Sequence, residues 1–394
     1  MTAAGFSPKR LARVRELLER HVESGFVPGA VAALARHGEV HIEATGTLAF
    51  EGAGSETPMA ADTICRMGSM TKPIVAACAM TLVEDRTLRL DDPVDELLPE
   101  LADMRVLADP DGPLEDTVPA NRPITLRDLL TYTVGTGFVD AGTPYADAMG
   151  VLFKAVPPDE WIGRFGALPL VHQPGERWMY EIAANVTVVL VARATGTSFG
   201  ETLRERVCDP LGMKDTSFSV GGESVNRLAT AYARDDAATG GPVVEDAPDG
   251  RWSRPPVFES GGGGLLSTAD DYLAFASALL AGGAHRGERV LSRPAVALMT
   301  SDQLTPAQKA VSGFWPGYFD SMGWGFGMSV RTRRTHLGPS VGSYGWSGFY
   351  GTAWYNDPAE DLTTIFVMQR AHAGDQRLPM WQDFWTAVYQ AIED

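Results

Sequence analysis

The sequence predicts a mixed α/β protein of the α+β type, in which both ends of the chain contribute strands to one antiparallel sheet. β-type runs occur at residues 29–35 and 39–44 and again at 324–330, 351–355 and 362–369, whereas helical patterns dominate from 81 to about 194. The sheet should therefore be flanked by helices and interrupted by an inserted, mainly helical domain. On this basis residues 1–82 and 270–394 form a discontinuous sheet domain and residues 83–200 the helical domain, while residues 201–269 combine a helix with a long loop bordering the active site.

The composition fits a globular protein and excludes some partners. Of 394 residues, 44% are hydrophobic and 21% charged, and the net charge of -17 would repel nucleic acid and anionic lipid. No apolar run is long enough for a membrane span, and the N-terminus lacks the apolar core of an export signal. The cysteines Cys65, Cys78 and Cys208 cannot all pair and lack metal-ligand spacing, so we expect buried thiols in a reducing cytoplasm. Taken together, these features predict a cytoplasmic protein that binds neither nucleic acid nor membrane.

The N-terminal elements are a helix and a hairpin. Ser7 and Pro8 are typical of an N-cap and a first helical turn, and apolar residues then recur at helical spacing as far as Val22. The two β-type runs that follow are joined by His37 and Gly38. They should form a hairpin at one edge of the sheet.

Capping patterns mark helices in the middle of the chain. Thr125 with Asp128, and Ser198 with Glu201, have the spacing of capping boxes. Residues 196–200 also match the Gly-x-Ser-x-Gly elbow of α/β-hydrolases, which requires a preceding strand. The valines of residues 186–195 would suit a strand as well. We nevertheless interpret this segment as a helix, and Ser198 as the N-cap of the next helix.

A loop and a glycine run precede the C-terminal strands. Residues 235–256 are rich in Asp, Gly, Pro and Ala without apolar periodicity, which predicts a long surface loop. The glycines at 261–264 lack the Lys-Ser or Lys-Thr of a phosphate loop, so close backbone packing beside a pocket is the better interpretation. Thr268 should cap a helix that runs to Leu280, and residues 379–392 should form an amphipathic helix.

The chemistry of the chain centres on Ser69 and Lys72, which form a Ser-x-x-Lys pattern at the start of a predicted helix. Residues three apart lie on one helix face, so the Lys72 amine can reach the Ser69 hydroxyl. The helix N-terminus adds positive potential and free N–H groups for an oxyanion. The pattern also fits a helix cap with a solvated lysine, but the apolar run at 74–80 indicates a buried helix and Gly68 permits a tight turn.

Two further stretches complete a set of three motifs. Residues 174–182 read PGERWMYEI and residues 344–352 read YGWSGFYGT. With Ser-x-x-Lys they follow the order and spacing of the active-site motifs of the serine β-lactamase and penicillin-binding-protein superfamily. LLTYT at 129–133 and DPLGM at 209–213 look like non-catalytic landmarks of its class C branch. The chain resembles this superfamily over nearly its whole length, most of all its family VIII carboxylesterases, and this resemblance implies a β-lactamase-like fold.

The resemblance implies roles for three residues. Ser69 matches the nucleophile, Lys72 its partner amine, and Tyr180 the general base that also returns a proton to the leaving group. A free tyrosine has a pKa of about 10, so this role implies that the charge of Lys72 lies close to the phenol oxygen and lowers its pKa. Alone, Tyr180 would equally suit an aromatic core position.

Two departures from the β-lactamase pattern bear on the substrate. Ile182 stands where the second motif usually has an asparagine, and Trp346 stands where the third motif usually has a lysine. Neither side chain can replace the polar contacts that these residues make with a β-lactam. We therefore expect weak lactam recognition and an uncharged, apolar acyl substrate. Asn185 lies five residues after Tyr180 and should face elsewhere on a helix.

The rest of the third motif predicts the oxyanion site. The Phe349 N–H, on what we expect to be the edge strand, should join that of Ser69 as the oxyanion hole. The candidate substrate-binding residues are Trp346, Ser347, Gly348, Ile182 and Tyr132. The aromatic residues Tyr132, Phe138, Trp161 and Trp178 could line the pocket, but each fits the core equally well.

The expected function is that of a serine carboxylesterase acting on short-chain acyl esters through an acyl-enzyme on Ser69. Lys72 and Tyr180 would transfer the protons and activate the deacylating water. No metal or cofactor is implied, and the expected partner is a small-molecule ester. The alternatives are a β-lactamase or D-alanyl-D-alanine peptidase, an acyltransferase to an alcohol acceptor, and a non-catalytic binding protein with this fold. The sequence does not predict the oligomeric state.

Overall fold

A seven-stranded antiparallel sheet forms the centre of the molecule, whose computed structural model describes residues 4–233, 241–371 and 378–394. Its strands are β1 (Gly29–Arg36), β2 (Glu39–Gly46), β3 (Met322–Trp324), β4 (Ser329–Arg331), β5 (Tyr344–Ser347), β6 (Ala353–Asp357) and β7 (Leu362–Val367). They lie in the order β3-β4-β5-β6-β7-β1-β2. The sheet therefore joins the two ends of the chain, as predicted.

Strand β1 explains how the two ends meet. It pairs with β2 on one side and with β7 on the other, where Val31 lies opposite Val367. Alternate residues of β1 enter different cores, Val31 on one face and Ala32 on the other. Because both faces of β1 are covered, its sequence is an unbroken apolar run and not an alternating one.

Helices cover both faces of the sheet and form the inserted region. They are α1 (Pro8–Glu23), α2 (Thr71–Glu84), α3 (Leu126–Thr131), α4 (Pro144–Met149), α5 (Pro158–Gly166), α6 (Ala183–Thr195), α7 (Phe199–Leu203), α8 (Asp209–Leu211), α9 (Ala269–Leu280), α10 (Arg293–Met299), α11 (Pro306–Ala310) and α12 (Leu378–Tyr389). Apolar residues of α1 and α12 pack in one core, and those of α2 and α9 pack in the other. None of the helices in the described ranges is long and apolar enough to cross a membrane.

Short two-stranded pairs connect the larger elements. They are Cys65–Arg66 with Leu266–Ser267, Arg105–Leu107 with Thr117–Pro119, Ala231–Ala233 with Val243–Asp246, and Ala284–His285 with Glu288–Arg289. The first pair joins the residues before Ser69 to the residues that follow the glycine run.

Most of the predicted local elements are confirmed. Thr125 and Ser198 form complete capping boxes with Asp128 and Glu201, and Thr268 caps a helix that ends at Leu280. Because the segment before Gly196 is helix α6, residues 196–200 do not form a hydrolase elbow.

Three sequence-based expectations are wrong in detail. Residues 324–330 form parts of two strands, because Gly325 and Gly327 turn the chain between β3 and β4, with Gly327 at a φ of 71°. Strand β5 lies third from the edge, since β4 and then β3 lie outside it. The predicted loop at 235–256 contains the strand Val243–Asp246, whose Asp246 is buried against Arg66; residues 234–240 lie outside the described ranges. The division into domains remains a prediction.

Candidate active site

Ser69 lies in a single 3₁₀ turn, Gly68–Met70, that leads into α2. Gly68 adopts a φ of 54°, and a Cβ at this position would lie 2.7 Å from the Phe349 backbone nitrogen. Both facts require glycine, because other residues rarely adopt this conformation and none would fit. The Thr71 hydroxyl donates to the Gly68 carbonyl at 2.7 Å and closes the turn. The tight turn predicted at Gly68 is thus confirmed, and it presents Ser69 just before the helix.

Lys72 is a buried ammonium group that donates to three acceptors in the described part of the chain. Its Nζ donates to Ser69 Oγ at 2.9 Å, to Glu181 Oε2 at 2.7 Å and to the Gly262 carbonyl. Burial alone would lower the pKa of Lys72, but Glu181 and Tyr180 outweigh it and leave that pKa raised. Lys72 is therefore protonated at neutral pH and donates a hydrogen bond to the Ser69 hydroxyl.

Glu181 is a functional candidate that the motifs did not reveal. It follows Tyr180 directly and adopts a φ of 106°, which is strained for a residue with a side chain. Its carboxylate is paired with Lys72, whose side chain is fully buried. A buried lysine requires an anionic partner, so the apolar run after Lys72 was the signal that such an acid should exist. No spacing rule indicated which of the acids it would be.

The Tyr180 hydroxyl lies close to Ser69 and Lys72. Trp346 Nε1 donates to Tyr180 Oη at 2.7 Å, and Lys72 Nζ lies 4.6 Å from the centre of the phenol ring. Burial raises the pKa of Tyr180; the charge of Lys72 and hydrogen bonds from Ser69 and Trp346 oppose this, while Glu181 adds to it. The net pKa is raised. The charge of Lys72 does lower the pKa of Tyr180, as expected, but burial raises that pKa by more. The expectation of a lowered pKa is therefore wrong for Tyr180 as a whole.

The glycine run supplies the third acceptor of Lys72. Asn185 Oδ1 accepts hydrogen bonds from Ser260 Oγ at 3.1 Å and from the Gly262 N–H at 3.0 Å. A Cβ at Gly261 would lie 2.4 Å from the Ala184 carbonyl oxygen, so this backbone passes directly against α6. The predicted close packing beside a pocket is confirmed. Asn185 thus holds the segment whose Gly262 carbonyl contacts Lys72.

The third motif, residues 344–352, is hydrogen-bonded to the residues before Ser69. The Thr352 hydroxyl donates to the Met67 carbonyl at 2.8 Å, and the Gly348 N–H donates to the Thr352 carbonyl at 2.8 Å. A Cβ at Gly348 would lie 2.0 Å from the Met67 oxygen, which only glycine avoids. Within the described residues the Phe349 N–H has no acceptor. It lies beside Gly68, where it can point with the Ser69 N–H toward an oxyanion.

Ser69 opens into a cavity of about 1200 Å³. The end of the cavity beside Ser69, the candidate catalytic end, is lined by Tyr180, Glu181, Trp346, Ser347, Gly348 and Phe349. Much of the remaining wall, here named the aromatic end, consists of aromatic side chains that include Phe138, Phe153, Phe258, Phe314, Trp315 and Tyr318. The volume exceeds what a short acyl group needs and suits a drug-sized ligand.

Some predicted binding residues lie outside this cavity. Ile182 is 1% exposed and belongs to the core at the start of α6. Tyr132 packs behind Tyr180 with ring centres 5.9 Å apart, and its hydroxyl lacks a partner within the described part of the chain. Trp178 packs on Tyr180 at 5.8 Å, and Trp161 stacks on Phe258 at 5.2 Å. These aromatic residues support the cavity from behind.

The three cysteines are free and buried. Burial raises the pKa of Cys65 and of Cys78 to about 12, so neither thiol is reactive at neutral pH. Within the described ranges no group of three His, Cys, Asp or Glu side chains is placed to hold a metal ion.

The chain also matches a known protein family. The family model described as Beta-lactamase matches residues 14–383. The chain belongs to the β-lactamase family. Its membership, with Ser69 and Lys72 in contact, identifies the chain as a serine hydrolase.

Relatives of this β-lactamase-family chain include esterases. Protein Rv1367c of Mycobacterium tuberculosis is 38% identical over 365 residues, which cover 91% of this chain and 88% of that protein. Esterase EstB of Burkholderia gladioli is 31% identical over 407 residues, covering 95% and 96%. Among solved structures, EstCE1, described as a hydrolase with promiscuous acyltransferase activity, has a TM-score of 0.80 and 26% identity, and the match covers 97% of this chain and 99% of that one.

Proposed function

We propose that the protein is a serine carboxylesterase that hydrolyses esters with a short apolar acyl group through an acyl-enzyme on Ser69. One observation carries this proposal. Trp346 occupies the position of the cation in the third β-lactamase motif, and its indole N–H is committed to Tyr180. The acyl side of the cavity therefore offers an apolar ring and no charge to a substrate carboxylate.

In acylation, Ser69 Oγ attacks the ester carbonyl while its proton passes to Tyr180 Oη. Tyr180 accepts the proton as phenolate, the form that the Lys72 ammonium and the Trp346 N–H stabilise. It then returns the proton to the departing alkoxide. Lys72 remains charged throughout because Glu181 balances it.

The backbone N–H groups of Ser69 and Phe349 bind the oxyanion that develops during this attack. Such preorganised donors are worth about 10²- to 10³-fold in rate each. For deacylation, water takes the place of the alcohol and is activated by the same Tyr180. The acyl group is thereby released as a carboxylic acid.

This mechanism determines the pH dependence. The pKa of Tyr180 is raised by burial, so phenolate is a minor form at neutral pH. The rate should therefore increase about tenfold per pH unit below that pKa. At high pH the rate should fall again, because Lys72 loses the proton whose charge stabilises the phenolate. The pKa of Lys72 is also raised, so this fall lies above the ordinary lysine pKa.

Transfer to an alcohol instead of water is the second candidate function. It is favoured by the cavity volume of about 1200 Å³, which accommodates an acyl group and a bulky alcohol together. EstCE1, with its hydrolase and acyltransferase activities, supports the same possibility. An acceptor that fills the aromatic end would exclude water from the acyl-enzyme.

The test is intact-mass spectrometry during turnover of p-nitrophenyl butyrate by the wild type and by Ser69→Ala. A butyryl adduct in the wild type alone, with turnover lost in the variant, is the expected result. Full ester turnover by Ser69→Ala would disprove the mechanism. Nitrocefin turnover equal to that of the ester would favour a β-lactamase, and a butyrate ester formed from added alcohol would favour the transferase.

A further inference from the structure

Among the residues that the structure describes, Arg331 is a buried cation without an anionic partner. It lies on β4 and is 7% exposed, its Nε has no hydrogen-bond partner, and in the described ranges no carboxylate lies within ion-pair distance of its guanidinium. By contrast, buried Arg66 pairs with Asp246 and buried Arg36 pairs with Asp394. An arginine cannot lose its charge at any ordinary pH, so burial of Arg331 is costly until an anion arrives.

Arg331 lines the same cavity as Ser69. Its backbone N–H donates to the Ser343 carbonyl of the neighbouring segment at 2.8 Å. Ser343 precedes Ser347 by four residues, which corresponds to about 13 Å along an extended strand. Arg331 is therefore well separated from Ser69 within the same cavity.

The surroundings of Arg331 suit an amphiphilic ligand. The cavity wall near it includes His336, Tyr355 and Trp385. Burial, and then the charges of Arg331 and Arg334, lower the pKa of His336, so this imidazole is neutral. Its Nε2 also lacks a partner within the described residues. One guanidinium beside one neutral imidazole matches a singly charged carboxylate better than a doubly charged phosphate.

We propose that Arg331 binds a carboxylate at the end of the substrate remote from the reacting ester. This inference rests on the proposed esterase function and refines its substrate class. The substrate is a short apolar acyl ester of a long hydroxycarboxylic acid. The acyl group lies against Trp346, the apolar body follows the aromatic wall, and the carboxylate pairs with Arg331.

The matched substrates are the butyryl ester of ω-hydroxydodecanoic acid and the same ester with its carboxylate converted to a primary amide. A charge-assisted hydrogen bond in a buried site predicts that the wild type has a kcat/KM for the acid roughly 10- to 100-fold above that for the amide. The difference should appear in KM, because Arg331 is remote from the reacting bond.

Arg331→Gln should abolish this preference while leaving the hydrolysis of p-nitrophenyl butyrate unchanged. Arg331→Lys, which keeps the charge, should retain part of it. Arg333→Gln is the matched control, because Arg333 is exposed on the same segment and lines no part of the cavity. Equal preference for acid and amide in the wild type, with p-nitrophenyl butyrate still turned over, would overturn the inference alone. Loss of all ester turnover would overturn the proposed function.

Thermal unfolding separates a binding role from a structural one. Without ligand, Arg331→Gln should unfold at the same or a higher temperature than the wild type, because it removes an uncompensated buried charge. Added ω-hydroxydodecanoate should raise the unfolding temperature of the wild type and of Arg333→Gln but not of Arg331→Gln. A marked destabilisation of ligand-free Arg331→Gln, with no response of the wild type to the acid, would mean that Arg331 is structural.

Discussion

The two ends of the cavity are built differently. At the catalytic end, beside Ser69, hydrogen bonds hold the polar atoms of Lys72 and Tyr180. The backbone around Gly68 and Gly348 leaves no room for a Cβ. At the aromatic end, side chains such as Phe314 are partly exposed, at 37%, and contact one another mainly through ring faces and edges. Hydrogen bonds and close backbone approach thus fix the positions of the groups around Ser69, whereas the packing of side chains determines the shape of the aromatic end.

This difference predicts that substitutions at the catalytic end change kcat and those at the aromatic end change KM. The largest effect is expected from Tyr180→Phe, which removes the group that we propose accepts the Ser69 proton. General acid–base catalysis is worth about 10²- to 10⁴-fold, so kcat for p-nitrophenyl butyrate should fall by that factor. Tyr132→Phe is the control, since it removes the neighbouring buried hydroxyl, which has no partner in the described part of the chain. Loss of activity in both variants would mean that packing and not proton transfer is responsible.

Glu181→Gln should shift the pH–rate profile. Glu181 raises the pKa of Lys72 and of Tyr180, so its neutralisation lowers both and moves both limbs of the profile to lower pH. The maximum rate should fall about tenfold, because Lys72 loses a charge-assisted hydrogen bond. Glu245→Gln is the control, as Glu245 lines the cavity but bonds to Tyr350 instead of Lys72. An unchanged profile in Glu181→Gln would exclude this role.

The same ion pair affects stability. In the folded state the pKa of Lys72 is raised, so its pairing stabilises the fold below the ordinary lysine pKa and is lost as the pH rises through the folded-state value. The wild type should therefore lose more stability than Glu181→Gln between neutral and strongly alkaline pH. Chemical denaturation at the two pH values measures this.

Trp346→Phe keeps an aromatic ring but removes the donor to Tyr180 Oη. One hydrogen bond of this kind contributes about 0.5–1.5 kcal/mol, which corresponds to a roughly two- to tenfold lower kcat. Trp324→Phe is the control, because the Trp324 indole packs on Trp346 at 4.6 Å while its N–H has no partner within the described residues. If both variants were equally slow, ring packing would explain the effect.

The smallest effect is expected at the aromatic end. Phe314→Ala removes a ring that contacts Tyr180 at 5.1 Å and lines the cavity. KM for a bulky ester should increase roughly two- to tenfold with little change in kcat, as expected for aromatic contacts worth about 0.5–1.5 kcal/mol. Phe50→Ala is the control, since Phe50 is 38% exposed and lies outside the cavity. A fall in kcat for Phe314→Ala would show that the two ends are coupled.

The sequence predicted the parts of the molecule that depend on local rules. Capping boxes at Thr125 and Ser198 and the hairpin at Gly38 were predictable, because their signals lie within a few residues. The contact of Ser69 with Lys72 followed from helical spacing. Gly68 was recognised as a turn, although its close approach to Phe349 was not.

The parts that were missed depend on distant residues. Glu181 reaches Lys72 only because its backbone adopts a strained φ, which no propensity favours. The position of β5 inside the sheet depends on Gly325 and Gly327 splitting one apolar run into two strands. The raised pKa of Tyr180 depends on the sum of burial and four neighbouring groups, which a motif does not contain.

The pairing of β1 with β7 has a consequence for synthesis. Val31 lies opposite Val367, so the first hairpin cannot complete its sheet until the last strand has left the ribosome. Contacts of such long sequence separation slow folding, because loop closure precedes any gain in packing. The apolar run of β1, with an unpaired edge, is exposed during that interval and can associate with other chains. Expression at low temperature or with chaperones should therefore increase the yield of folded protein more than changes to its surface.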